Sequence, residues 1–139
     1  MKAKKNVERE HLRSFLKQYI SATAERDRLE QQKRSIERDY LKNGEIVGVS
    51  MVLADVQKQI DRQIRHNARL LVQIKDILNY LPDTCIQRQI LDALYIDGKS
   101  WLQIEGHFNY SEASVKRYAA AGLDALLKFE RVKELIKSL

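Results

Sequence analysis

The chain has a single proline, Pro82, and only five glycines among its 139 residues. Proline and glycine are the residues that most often interrupt a helix, because proline lacks a backbone N–H and glycine is conformationally free. Long helices are therefore expected before Pro82, where Glu, Gln, Lys, Arg, Leu and Ala dominate. We predict a short basic tail over the first five residues, one helix from about residue 7 to residue 41, and a second from about residue 50 to residue 80.

Both predicted helices carry a stripe of residues at alternating spacings of three and four, which is the pattern of a coiled coil. Folding the chain at residues 43–49 would pair the stripes in antiparallel register, with Leu12 near Leu81 and Arg26 opposite Asn67. Pairing between two chains uses the same stripes, but a short turn makes closure within one chain less costly in entropy. The stripe positions are Leu12, Phe15, Tyr19, Ala22, Arg26, Leu29, Lys33, Ile36 and Tyr40, then Leu53, Val56, Ile60, Gln63, Asn67, Leu70, Ile74, Ile77 and Leu81.

Further apolar residues flank the stripes toward the open end of this hairpin, namely Leu16 and Ile20 on the first helix and Leu71 and Leu78 on the second. Left exposed, they would form a sticky patch. We expect the patch to be covered by the C-terminal part of the chain or by a second subunit. The amphipathic segment from residue 126 to residue 139 is one candidate for that cover.

Beyond Pro82 the sequence predicts three short amphipathic helices joined by two polar turns. Ser100 and Ser111 each precede a helix-forming run, where a hydroxyl can accept a backbone N–H of the first turn. Gly98 and Asn109 lie in the turns, and both residue types tolerate the positive φ that ends a helix. Three helices of this length with a tight final turn are the parts of a helix-turn-helix DNA reader.

The break at Leu81-Pro82 should end the second long helix, since the residue before proline is pushed away from helical geometry. Asp83 or Thr84 is then expected to cap the next helix.

The third short helix has one apolar face and one face of small and charged side chains. On the second face, Arg117 can form a fork onto guanine, Glu112 can accept from cytosine, and Ser114 can bond to either strand. Lys116 suits a phosphate. Lys116 and Arg117 would show the same pattern if they were only solvated surface charges. The candidate DNA contacts are Arg88, Lys99, Ser100, Ser111, Glu112, Ala113, Ser114, Lys116, Arg117 and Ala120.

Charge is unevenly distributed along a chain whose formal net charge is +6. Residues 83–126 hold six acidic residues against four basic ones, whereas residues 1–42 hold twelve basic residues against seven acidic ones. If the reader neutralised about four phosphates, its salt slope would be about 3.6 in magnitude and a single reader would bind weakly. We therefore expect a homo-oligomer, with a dimer favoured, or help from basic residues of the hairpin.

The run from Ser100 to Leu126 resembles region four of bacterial sigma factors, whose helix-turn-helix reads a promoter element. Ser100-Trp-Leu-Gln-Ile matches the start of the supporting helix, Ser111 matches the cap of the recognition helix, and Gly122-Leu123-Asp-Ala-Leu126 matches the closing apolar pattern. With a long helical hairpin in front, the whole chain is similar to small phage regulators of the RinA and ArpU kind. The resemblance implies an activator of phage or mobile-element genes, with RNA polymerase as a candidate partner.

The sequence also argues against several classes of protein. His11, His66 and His107 are scattered without metal-ligand spacing, and no phosphate-cradling loop or nucleophile motif occurs. We expect no catalysis, no metal, no cofactor and no small-molecule substrate. No stretch approaches a membrane span, and Cys85 is the single cysteine, so a reducing cytoplasm is the expected compartment.

These observations together predict an all-α fold in two domains, a long antiparallel coiled-coil hairpin over residues 1–81 and a helix-turn-helix domain with a C-terminal helix over residues 82–139. The predicted function is sequence-specific binding of double-stranded DNA by a regulator of transcription. Two alternatives stay open, a DNA-packaging recognition subunit of the small-terminase type and a coiled-coil adaptor that binds protein.

Overall fold

The computed structural model describes residues 2–43 and 48–137, and the fold over these residues is all-α, as predicted. The first helix begins at Lys2, so the predicted basic tail is helical, because nothing in its sequence interrupts the backbone ladder. No described helix is both long enough and apolar enough to cross a membrane. The described helices are α1 (Lys2–Asn43), α2 (Val49–Leu78), α3 (Ile86–Tyr95), α4 (Trp101–Phe108), α5 (Glu112–Leu126) and α6 (Glu130–Lys137).

The chain forms two compact units, one made of Met1–Ile20 with Leu71–Leu139 and one made of Ser21–Leu70. The first unit, the C-terminal unit, contains the base of the hairpin and the four short helices. The second, the hairpin unit, contains the rest of α1 and α2. The boundary predicted between residues 81 and 82 falls inside the C-terminal unit.

In the hairpin unit, α1 and α2 pair antiparallel within one chain. Their apolar core is formed by Leu29, Val56 and Ile60. The buried Asn67 side chain donates to the backbone carbonyl of Ala22 at 3.1 Å and accepts from Gln63 at 2.9 Å. The partner of Asn67 thus lies one turn before Arg26, the residue that the stripe pairing placed opposite it. Most of the predicted turn, residues 44–47, lies outside the described residues.

The C-terminal unit has one continuous core. Leu12 and Leu16 of α1 and Ile77 and Leu78 of α2 are fully buried in it, together with residues of α3 to α6. The apolar patch predicted at the open end of the hairpin is therefore covered at Leu16 and Leu78 by the C-terminal part of the same chain. The helix α6 contributes Val132 and Ile136 to this core, among other residues in the cluster.

The predicted ends of α4 and α5 are confirmed. Ser100 caps α4 through its hydroxyl and completes a capping box with Gln103, and Ser111 caps α5 in the same way without the box. Gly98 has φ of 67° in the turn before α4, and Asn109 ends α4 in left-handed geometry with φ of 61°.

The predicted cap of α3 is wrong. Neither Asp83 nor Thr84 caps this helix, because Pro82 starts a turn in which its carbonyl accepts the N–H of Cys85. Cys85 is consequently the last extended residue before the helix, and its sulfur accepts the backbone N–H of Arg88 at 3.4 Å.

Candidate nucleic-acid interface

The helix α5 is held by a buried face of small and branched residues. Val115, Ala119 and Leu123 are almost completely buried in the core of the C-terminal unit. Gly122 faces α3, where a Cβ atom at this position would lie 2.9 Å from Leu91 Cδ1 and 3.2 Å from Gln87 Cβ. The absence of a side chain lets α5 pack closely on α3, which fixes the face that α5 turns to solvent.

The short connection from α4 to α5 is held by aromatic contacts. The rings of Tyr110 and Tyr118 lie 5.4 Å apart, and the half-buried Trp101 packs against the core at the start of α4. Trp101 therefore acts as a packing residue of the core.

The structure brings the predicted contacts of α5 together on one outward face. Glu112, Ala113, Lys116 and Arg117 are exposed, whereas Ser114 and Ala120 are half-buried at its margin. Residues three and four apart share a face of a helix, so this set is one contiguous strip of side chains.

Lys116 and Glu112 form an ion pair on this strip, with Lys116 Nζ 2.6 Å from Glu112 Oε1. The hydrogen bond from Lys116, together with its charge, holds the pKa of Glu112 below its ordinary value. Lys116 Nζ also lies 5.7 Å from the centre of the Trp101 ring. Each of the two charges is therefore partly neutralised by the other, and a phosphate or a base must compete with this pair.

Arg117 has no such partner. Within the described part of the chain no carboxylate lies within ion-pair distance of its guanidinium, which lies 5.8 Å from the centre of the Tyr118 ring. Its donors are therefore available to an incoming ligand.

The serines at the helix starts have structural roles. The Ser100 hydroxyl accepts the N–H of Gln103 at 3.2 Å, and the Ser111 hydroxyl accepts the N–H of Ser114 at 3.2 Å and donates to the Ser114 hydroxyl at 3.0 Å. Both serines remain exposed. They hold the first turns of α4 and α5 in place while their oxygens are already engaged.

Arg88 is a correction to the predicted contact set. Its side chain is only 10% exposed, because its guanidinium is turned into the C-terminal unit. It donates to the carbonyls of Leu78 at 2.9 Å and Leu81 at 3.1 Å, to Asn79 Oδ1 at 3.0 Å and to Asp92 Oδ1 at 2.9 Å. These bonds satisfy the end of α2 and leave no donor face for a phosphate.

Lys99 lies in the turn between α3 and α4 and is half-buried, and its backbone N–H donates to the carbonyl of Ala93 at 2.9 Å. Its ammonium has no hydrogen-bond or ion-pair partner among the residues that the structure describes. Lys99 therefore remains available to a phosphate.

Sequence reasoning missed a two-bond link between α1 and α5. Arg9 Nε donates to Asp124 Oδ1 at 2.9 Å, and Arg9 Nη2 donates to Asp124 Oδ2 at 2.7 Å. This link neutralises one of the six acidic residues counted in residues 83–126 with a base from outside that range. The partners are 115 residues apart, so no local pattern could have paired them.

No protein-family model matches this chain, and searches of curated proteins and of solved structures found no match either. Among the described residues, no group of three or more His, Cys, Asp or Glu side chains is arranged to hold a metal ion.

Proposed function

We propose that this protein is a sequence-specific DNA-binding regulator of transcription, and that α5 is its recognition helix. The observation that carries the proposal is the outward face of α5, a capped helix whose other face is buried and whose exposed strip ends in an unpaired arginine. A helix presented in this way fits the major groove, which is wide enough to admit it.

In this proposal Arg117 reads a base and the other residues position the helix. A guanidinium can bond to guanine O6 and N7 at once, and the flanking Ala113 and Ala120 are small enough to lie against a thymine methyl group. Lys116 approaches a phosphate after exchanging its bond to Glu112, and the released carboxylate can then accept from cytosine N4. Lys99 adds a phosphate contact from the turn before α4.

The test is the substitution Arg117→Ala after a binding site has been selected from random DNA. We expect the variant to lose preference at one base step, by about 1 to 3 kcal/mol, while binding to unrelated DNA changes little. Competition between the selected site and its single-base variants measures this preference. Arg131→Ala is the matched control, because Arg131 is also an exposed arginine but lies on α6 within 3.8 Å of Glu134.

Two outcomes would contradict the proposal. If no sequence is enriched by the selection, α5 does not read bases. If Arg117→Ala leaves every DNA affinity unchanged, the strip is not a DNA-contacting surface, and a protein-binding adaptor would explain the exposed face better.

The resemblance to small phage activators extends the proposal to activation of phage or mobile-element genes, with RNA polymerase as a partner of the DNA-bound form. We further propose that the DNA-bound form is a homodimer on paired half-sites, because one outward strip with a single unpaired arginine makes few contacts. Sedimentation of the complex tests this stoichiometry. A monomer bound tightly to one site at physiological salt would refute the dimer, and a closed ring of eight or more subunits would favour a packaging role.

A further inference from the structure

A row of four basic side chains runs along the outward face of α2 in the hairpin unit. Lys58, Arg62, Arg65 and Arg69 are separated by four, three and four residues, a spacing that keeps them on one ridge of a helix. All four are exposed. We call them the basic ridge. Eleven residues of helix place its two ends about 16 Å apart.

None of the four has an ion-pair or hydrogen-bond partner among the described residues. Two bases of α1 in the same unit differ, because Arg28 bonds to Glu25 at 2.7 Å and Arg34 lies 3.9 Å from Glu30. Between residues 58 and 69 the only acidic residue is Asp61, which accepts from Gln57. Like charges three and four residues apart repel one another, so the ridge itself destabilises the helix that carries it.

The opposite face of α2 limits what the ridge can bind. Val56, Ile60 and Leu70 are buried, and the first two form the core that this unit makes with α1. An amphipathic helix that binds lipid inserts its apolar face, and in α2 that face is already occupied. Between residues 58 and 69 the one exposed large apolar side chain is Ile64, which is too little apolar surface for insertion into lipid. What remains is a row of positive charges, which suits a regularly charged polymer.

We propose that the basic ridge binds the phosphate backbone of duplex DNA without regard to sequence. Duplex DNA carries a negative charge about every 1.7 Å of its axis, so a ridge of about 16 Å can meet four phosphates through flexible side chains. The ridge would add to the few phosphate contacts of the C-terminal unit, in which Arg88 is buried and Lys116 is bonded to Glu112. It acts independently of base reading by Arg117.

The experiment replaces all four residues by glutamine in the full chain, as Lys58→Gln, Arg62→Gln, Arg65→Gln and Arg69→Gln. Glutamine keeps the helix propensity while removing the charge. Binding to a duplex of random sequence is measured from 50 to 200 mM salt. We expect the slope of log affinity against log salt to become shallower by about 3.6, so that the wild-type protein loses about 150-fold more affinity than the variant across this range.

The matched control removes the same charge from bases that already have partners, as Arg28→Gln, Arg34→Gln, Arg131→Gln and Lys133→Gln. We expect the control to change the slope by less than one phosphate contact, about 0.9. Circular dichroism tests whether both variants keep the helical content of the wild type. A ridge variant that loses helix is replaced by the pairs Lys58→Gln with Arg62→Gln and Arg65→Gln with Arg69→Gln, each expected to reduce the slope by about 1.8.

Three results would overturn the inference. The first is an unchanged slope in the folded ridge variant. The second is an equal change in the control, which would show a general charge effect. The third is a ridge variant that binds anionic vesicles or an acidic protein less well than the wild type does but binds DNA equally well. Failure of base reading has a different signature, because Arg117→Ala would then leave sequence preference unchanged while the ridge variant still alters the slope.

Discussion

Sequence and structure predict different effects of replacing Arg88. The sequence predicts a loss of DNA affinity, and the structure predicts a loss of stability. Its Nη1 donates to two backbone carbonyls, those of Leu78 and Leu81, and the side chain is buried. Arg88→Met keeps much of the aliphatic packing but removes both bonds. The Leu81 carbonyl then loses its partner, whereas the Leu78 carbonyl keeps the N–H of Leu81 at 3.0 Å. A hydrogen bond to a charged donor contributes about 1.5 to 3 kcal/mol.

Two bonds of this kind give an expected loss of unfolding free energy of about 3 to 5 kcal/mol. The bond from Arg88 to Asp92 adds little to this sum, because Asp92 is 33% exposed and water can replace the arginine there. A loss of this size is a large part of the stability of a small protein.

Urea denaturation followed by circular dichroism measures the loss. An unchanged slope of unfolding free energy against urea concentration shows that the unfolded state is the same. Arg131→Met is the control, since its single surface ion pair is worth about 1 kcal/mol or less. A loss below about 1 kcal/mol for Arg88→Met would refute the structural role. A variant of normal stability with reduced DNA affinity would restore Arg88 as a DNA contact.

Two further predictions concern packing and pH. Gly122→Ala gains about 0.5 to 1 kcal/mol of helix propensity but overpacks Leu91 by about 1 to 3 kcal/mol, so thermal denaturation should show a less stable protein. Gly106→Ala, with no atom within 4 Å of the new Cβ, should instead be more stable, and a gain at both sites would contradict the close packing of α5. Burial raises the pKa of Tyr95 above its ordinary 10, against a smaller lowering by Arg13. The folded state then holds this proton more tightly than the unfolded state, so its stabilising effect is complete below pH 10 and declines as pH rises through the folded-state pKa. Tyr95→Phe should remove that part of the decline in denaturation midpoints above pH 10, and identical pH profiles would refute the burial effect.

Local chemistry made part of the fold predictable. The long helices follow from the rarity of proline and glycine, and the inner faces of α1 and α2 follow from their stripes, none of whose residues is exposed. Ser100, Ser111 and Asn109 end their helices as predicted, because a cap acts within three or four residues of its own position. The strip of α5 was predictable for the same reason, since helical periodicity alone separates Arg117 from Val115.

Tertiary contacts decided the rest. The sequence pattern around an arginine in an amphipathic helix is the same whether its side chain faces DNA or a buried carbonyl. Only the approach of the end of α2 assigns Arg88 to the interior. The Arg9–Asp124 link joins residues that no helical periodicity relates. The stripes brought Asn67 within one turn of its partner, and only the folded hairpin assigns its bond to Ala22 instead of Arg26.

The sequence by itself determined that the chain is helical, where α4 begins and ends, where α5 begins, and which face of α5 is polar. Those properties depend on interactions within one or two turns of backbone. The tertiary structure decided which charges remain free to bind a partner, because neutralisation depends on side chains that meet only in the folded chain. Arg88 is thereby withdrawn to the interior, while Arg117 and the basic ridge have no ion-pair partner in the part of the chain that the structure describes.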